Sequence, residues 1–173
     1  LASGVYTHNS GLFTQGDGSY LGTGSGANLN FDVNDNVFYN FDHRRAWSRE
    51  INLLSDFTVA NTFTIANTHN EGGVFLSSGT KTISIQGAFD MGQYARQAYA
   101  DAEVLFKLTG TGNQTVTSST AHCKMPSFEV DKASGTTYLV GPMIVLTDFK
   151  VTNGTVDTTG LTSFTWGYDT ADK

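Results

Sequence analysis

Apolar and polar residues alternate along most of this chain, which is the pattern of a β-strand with one buried face. In the segment 29–33, Leu29, Phe31 and Val33 alternate with asparagine and aspartate. Apolar residues recur at the same spacing of two in the segments 57–65, 82–86 and 104–108. Further strand candidates are the segments 37–41, 51–54, 115–123, 127–130, 137–140, 144–151 and 161–166. The pattern therefore predicts many short strands separated by turns.

One segment departs from this alternation. Asp90 is a good N-cap residue, and apolar residues then follow at helical spacing. These positions are Met91, Tyr94, Ala95, Ala98 and Ala102. The spacing predicts one short helix around 90–102 that packs its small side chains on a sheet.

Turn-forming residues separate the predicted strands. The pair Asn153 and Gly154 is a strong signal for a type I′ hairpin turn between antiparallel strands. Many short strands with a single helix favour an all-β fold, mainly an antiparallel β-sandwich or barrel. The glycine and serine content divides the chain into an N-terminal arm at 1–26 and a single β-sandwich domain at 27–173.

Charge and composition narrow the range of partners. The net charge of -6 and a pI near 4.9 argue against general attraction to nucleic acid. No apolar run reaches the length of a membrane span, so no membrane partner is expected. A single cysteine, Cys123, excludes an intrachain disulfide. The local basic cluster of Arg44, Arg45, Trp47 and Arg49 is interpreted as a contact between subunits.

No sequence motif of an enzyme is present. The chain lacks a nucleophile elbow and a phosphate-binding loop, and its histidines (His8, His43, His69 and His122) lie in no nucleophile context. Two carboxylates could still meet across a cleft as in glycosidases, the candidates being Asp32, Asp56, Glu103, Glu129 and Asp148. We therefore predict a protein without enzymatic activity and assign no catalytic residue.

The sharpest local motif is Asp32-Val33-Asn34-Asp35-Asn36, which is identical to the Asp-x-Asn-Asp-Asn calcium linker of cadherins. Hard oxygen ligands of this kind suit calcium, so the candidate ligands are Asp32, Asn34, Asp35 and Asn36. The companion acidic motifs of a cadherin site are missing, and the same residue types favour a tight turn. The turn is the preferred interpretation, so no cofactor is predicted and calcium is the one candidate ion.

A broader resemblance involves the order of several segments. Gly18-Ser19-Tyr20-Leu21-Gly22, the strand 29–33, the segment 81–90, the short helix and the strand 104–108 together resemble the major tail tube proteins of tailed bacteriophages. The resemblance implies a β-sandwich or barrel with a flanking helix, in subunits that form stacked rings through which DNA passes. It implies a virion location, self-association and contact with other virion proteins, with 40–51 as a contact between rings.

Two other interpretations fit the same composition. A single jelly-roll capsid or spike protein would have a similar set of strands. A secreted carbohydrate-binding or adhesive β-sandwich would instead use exposed aromatic rings for stacking on sugars. The candidate rings are those of Tyr6, Tyr20, Tyr39, Trp47, Trp166 and Tyr168. An exposed row of aromatic rings would favour the binding module, and a large surface for self-association would favour the virion protein.

Overall fold

The computed structural model describes residues 12–15, 29–33, 35–45, 50–67, 74–77, 79–92, 104–119 and 124–167. All regular secondary structure in these ranges is β-strand. In chain order the strands are β1 (Leu12–Gln15), β2 (Leu29–Phe31), β3 (Val37–Arg45), β4 (Glu50–Leu53), β5 (Phe57–Asn67), β6 (Val74–Ser77), β7 (Lys81–Ile85), β8 (Ala88–Met91), β9 (Val104–Leu108), β10 (Gln114–Ser118), β11 (Lys124–Met125), β12 (Ser127–Val145) and β13 (Phe149–Trp166).

The strands form a parallel β-solenoid, as the pairing of β12 shows. This long strand pairs first with β9, then with β10 and then with β11, and each pairing is parallel. The following strand, β13, pairs with β12 along nearly its whole length, again in parallel. One coil of the chain therefore lies directly on the previous coil, bending at corners as it passes from one face to the next.

Three faces can be followed through the described coils. The first contains β7, β9 and the initial parts of β3, β5, β12 and β13. The second contains β1, β8, β10 and later parts of the same long strands. The third is described in two parts, the sheet β2-β4-β6 and the strand β11 with the ends of β12 and β13. Asn30 and Asn52, 22 residues apart, are bonded neighbours on this third face.

The predicted antiparallel sandwich or barrel is wrong. Every strand pairing in the described residues is parallel, and the sheets close into a solenoid. Alternation of apolar and polar residues arises equally on a solenoid face, because that face has one side in the core and one in solvent. The pattern located strands correctly in many places, but it carried no information on the direction of their neighbours.

Two local predictions are also corrected. Asp90 and Met91 belong to β8 and not to a helix, and residues 93–103 lie outside the described residues. Asn153 and Gly154 form no hairpin, because β13 continues through them in parallel with β12. Gly154 has a φ of 101°, a conformation that favours glycine, and it bends the strand around a corner of the coil.

Aromatic stacking fills the core along the solenoid axis. Phe63 lies between Phe41 and Phe89, with ring centroids 5.6 and 5.2 Å apart. Phe89 continues the stack to Phe106 at 5.4 Å. Among the residues whose burial is described, the fully buried phenylalanines are Phe31, Phe38, Phe41, Phe57, Phe63, Phe89, Phe106 and Phe128. Burial of a ring of this size stabilises the fold by about 2–3 kcal/mol, so the column is a main source of stability.

Candidate functional site

The last described coil leaves the end of the solenoid core open. In the described part of the chain, β13 pairs on one side with β12 and with no strand on the other. Its residues Val151, Phe164 and Trp166 are 46%, 41% and 62% exposed. We refer to the outer edge of β13 and its apolar side chains as the open end.

The register of β13 shows that these exposed side chains lie on the same side of the strand as the core residues of β12. Val151 pairs with buried Val130, Phe164 with buried Met143, and Trp166 with buried Val145. Each pair shares a strand position and therefore a direction, toward the solenoid interior. The three side chains are exposed because no described coil covers them.

The aromatic stack also reaches this end. The rings of Phe128 and Phe149 are parallel within 8°, with centroids 5.9 Å apart. Phe149 then contacts Phe164 edge to face at 5.4 Å. The indole Nε1 of Trp166 donates a 2.9 Å hydrogen bond to the Thr147 carbonyl, which holds the ring in place. These contacts link Phe149, Phe164 and Trp166 to the rest of the last described coil.

A second feature is a ladder of charges on the solvent side of the first face. Lys107 Nζ lies 2.7 Å from Asp131 Oδ2 and 3.8 Å from Glu129 Oε2. Lys150 Nζ lies 3.5 Å from Glu129 Oε1. Lys107, Glu129 and Lys150 occupy paired positions on three neighbouring strands, so opposite charges face each other across the sheet.

The hydrogen bonds of this ladder keep its carboxylates ionised. A hydrogen bond from the Thr152 hydroxyl, together with the two lysines, lowers the pKa of Glu129. Bonds from Lys107 and from Asn153 Nδ2 lower the pKa of Asp131. A general acid in a glycosidase needs a raised pKa. The lowered pKa values therefore fit a role of both carboxylates in charge pairing across the strands.

Of the other carboxylates considered for a glycosidase pair, Asp56 accepts a 2.9 Å hydrogen bond from the backbone N–H of Thr82. This contact ties the entry of β5 to the start of β7 in the next coil. Glu103 lies outside the described residues. Sequence reasoning included Glu129 in the candidate set, but it missed Lys107 and Asp131 because their proximity depends on the coil register.

The proposed calcium ligands lie around the connection between β2 and β3. Asp32 and Asp35 are exposed, Asp35 has a φ of 58°, and Asn36 donates its backbone N–H to the Val33 carbonyl at 3.1 Å. Asn34 lies outside the described residues. No group of three or more histidine, cysteine, aspartate or glutamate side chains in the described ranges is placed to hold a metal ion.

The predicted subunit contact falls mostly outside the described side chains. Arg44 and Arg45 form the end of β3, where their backbones pair with Ala66 and Asn67 of β5. Trp47 and Arg49 lie outside the described residues.

In the described part of the chain before β13, the exposed aromatic residues Tyr39 and Tyr138 do not form a row. Tyr39 lies on β3 and Tyr138 on β12, with β5, β8 and β10 between them on the second face. Four strand spacings separate them by roughly 19 Å.

Sequence reasoning missed the open end, although a signal was available. Phe41 pairs with Phe63, and Phe106 pairs with Phe128, which places recurring phenylalanines 22 residues apart. Recurrence at a period of 20–50 residues indicates a repeating fold, in which each coil packs on its neighbours.

Comparison with known proteins identified no relative. No family model matches the chain, and neither the curated proteins nor the solved structures include a significant match. In the described portion, no helix has the length and apolar character needed to cross a membrane.

Proposed function

We propose that this chain is a non-enzymatic structural subunit that assembles through the open end of its solenoid. The observation that supports this is the exposure of Val151, Phe164 and Trp166 at positions in register with the buried core. Exposed apolar surface of this kind marks a site of protein association.

The edge of β13 supports the same proposal. Natural sheets protect free edges with proline, with several charges or with a covering element. The strand β13 carries six threonines, no proline, and only Lys150 and Asp157 as charged residues. Such an edge can accept another strand along its whole length.

The tail tube resemblance implied a sandwich or barrel, and the solenoid removes that part of its support. The proposal therefore retains the role of a self-assembling subunit without the ring geometry. The alternative of a single jelly-roll capsid or spike protein loses its fold in the same way, because a jelly roll is built from antiparallel strands and every strand pairing in the described residues is parallel. Location in a virion is part of the proposal.

Sedimentation velocity over a range of protein concentrations tests the proposal. We expect the wild-type chain to associate and the double variant Phe164→Ser, Trp166→Ser to sediment as a monomer. The matched control is Tyr138→Ser, Val140→Ser, which removes two exposed apolar side chains from the second face. Circular dichroism should show that all three proteins are folded.

Two results would contradict the proposal. The wild-type protein could remain monomeric at the highest attainable concentration, or the open-end variant could associate as strongly as the wild type. If the control lost association and the open-end variant did not, the contact between subunits would lie on the second face and not at the open end.

A further inference from the structure

The open end has a second property, which is an approximate two-fold pattern along β13. Its inward apolar residues begin as Phe149 and Val151, two residues apart, and end as Phe164 and Trp166, again two residues apart, with Val156 and Leu161 between the two pairs. From the start of the strand, a large ring (Phe149) is followed two residues later by a second apolar residue (Val151). From its end, a large ring (Trp166) is likewise followed two residues earlier by a second apolar residue (Phe164).

We propose that the partner at the open end is a second copy of this chain, related by a two-fold axis, whose β13 pairs antiparallel with this one. This inference rests on the proposed function and specifies its geometry. A two-fold interface uses the same surface on both subunits, so the surface must be complementary to itself. The pattern of β13 meets this requirement in one register.

In that register the axis passes between Asp157 and Thr158. Phe149 then faces Trp166 of the second copy, and Val151 faces its Phe164. Both pairs join side chains that point toward the solenoid interior. Together with the two pairs that symmetry generates, they close the apolar end of both cores.

The corners of the coil coincide in the same register. The coil bends at Gly154 and again near Leu161, which pairs with the positive-φ residue Gly141. Antiparallel pairing about the proposed axis places Gly154 opposite Leu161. Each bend then lies over a bend of the second copy, so the paired edges can follow each other around both corners.

The charges are compatible with this arrangement. Lys150 is placed opposite Thr165, and Asp157 opposite Thr158, so no two like charges face each other. A head-to-tail assembly would instead join β13 to a different strand of the next copy, and would leave this internal pattern without a role.

Disulfide trapping distinguishes the two geometries. We replace Cys123 with serine and prepare two single variants, Lys150→Cys and Thr165→Cys, whose positions are exposed on the solvent side of β13. Directly opposed residues of antiparallel strands lie within the Cα separation that a disulfide requires. Mild oxidation of the mixed variants should therefore give a covalent heterodimer, and each variant alone should give little.

A mixture of Lys150→Cys with Thr155→Cys is the matched control, because the second position lies on a different face of the coil. We expect at least a tenfold lower yield from it. If the protein associates but the Lys150→Cys and Thr165→Cys variants form no more disulfide than the control mixture, the two-fold inference is overturned and the proposed function stands. A protein that is monomeric by sedimentation would overturn both.

Discussion

Lys132 and Gln114 form a buried hydrogen bond between neighbouring coils, 18 residues apart in the sequence. The Lys132 Nζ donates to Gln114 Oε1 and also to the Gly112 carbonyl at 2.7 Å. Gln114 Nε2 in turn donates to the carbonyls of Ile85 and Gly87, both at 2.9 Å. The two side chains thus connect three successive coils at a corner of the solenoid, through hydrogen bonds to backbone carbonyls.

Replacement of Lys132 by methionine should destabilise the fold. The variant keeps an apolar stem but leaves Gln114 Oε1 and the Gly112 carbonyl without this donor. A buried acceptor that loses its donor costs about 1–3 kcal/mol, and we expect a loss of this size in urea unfolding. Lys81→Met, at a partly exposed position at the start of β7, is the control and should change stability by less than about 0.5 kcal/mol. Equal effects of the two variants would show that the buried hydrogen bonds contribute little.

The same lysine should make stability depend on alkaline pH. Burial lowers the pKa of Lys132 below its ordinary value of 10.5, because the ammonium loses solvation. Between the two pKa values the unfolded chain binds more protons than the folded protein, so stability rises with pH in this window. We expect the free energy of unfolding of the wild type to increase, relative to that of Lys132→Met, as the pH approaches 10.5. A constant difference between the two proteins would contradict this prediction.

The charge ladder should contribute stability that depends on acid and salt. Because the pKa of Glu129 is lowered from 4.5, its stabilisation is complete above that pH and disappears as the pH falls through the lowered value. Glu129→Gln should therefore lower the free energy of unfolding by about 1 kcal/mol at neutral pH. The loss should be smaller at high salt and absent in strong acid. Urea unfolding at several pH values and salt concentrations measures these differences.

Asp157→Asn is the matched control for the charge ladder. Hydrogen bonds from the hydroxyl and backbone N–H of Thr159, and no lysine, lower the pKa of Asp157. The effect of this variant should also disappear in acid, but it should respond much less to salt than that of Glu129→Gln. Identical salt responses would mean that Lys107 and Lys150 do not stabilise Glu129.

Gly87 should tolerate no side chain. A Cβ at this position would lie 1.7 Å from the Asn61 carbonyl oxygen of the previous coil, so backbone must move to admit it. We expect Gly87→Ala to lose roughly 1–3 kcal/mol, the usual cost of overpacking. At Gly112 an added Cβ meets no atom within 4 Å, so Gly112→Ala should be near neutral. Thermal unfolding of both variants tests the close approach of successive coils.

The positions of many strands could be predicted because they depend on local pattern. The alternation at 104–108 corresponds to β9, and that at 57–65 lies within β5. In both, the apolar residues point into the core, as Phe106 and Phe63 show by their complete burial. Each side chain's direction follows from its own place in the strand, so no distant contact was needed to infer it.

The hairpin predicted at Asn153 and Gly154 is wrong because the direction of the chain after a turn does not depend on local pattern alone. The local preference for positive φ was interpreted correctly at Gly154, but a corner of a coil uses that conformation as readily as a hairpin does. Whether the chain reverses or only bends there depends on the pairing of β13 with β12. That pairing joins residues about 20 positions apart, beyond the reach of a local pattern.

By itself the sequence determined which segments are extended and which side chains turn inward, because alternation has a period of two and apolar residues avoid water. Only the tertiary structure decided that the strands run parallel, and that Lys107 meets Asp131. It also decided that Val151, Phe164 and Trp166 form one open end. These relationships depend on how one coil is placed over the next, and that register is set by contacts summed over the whole core.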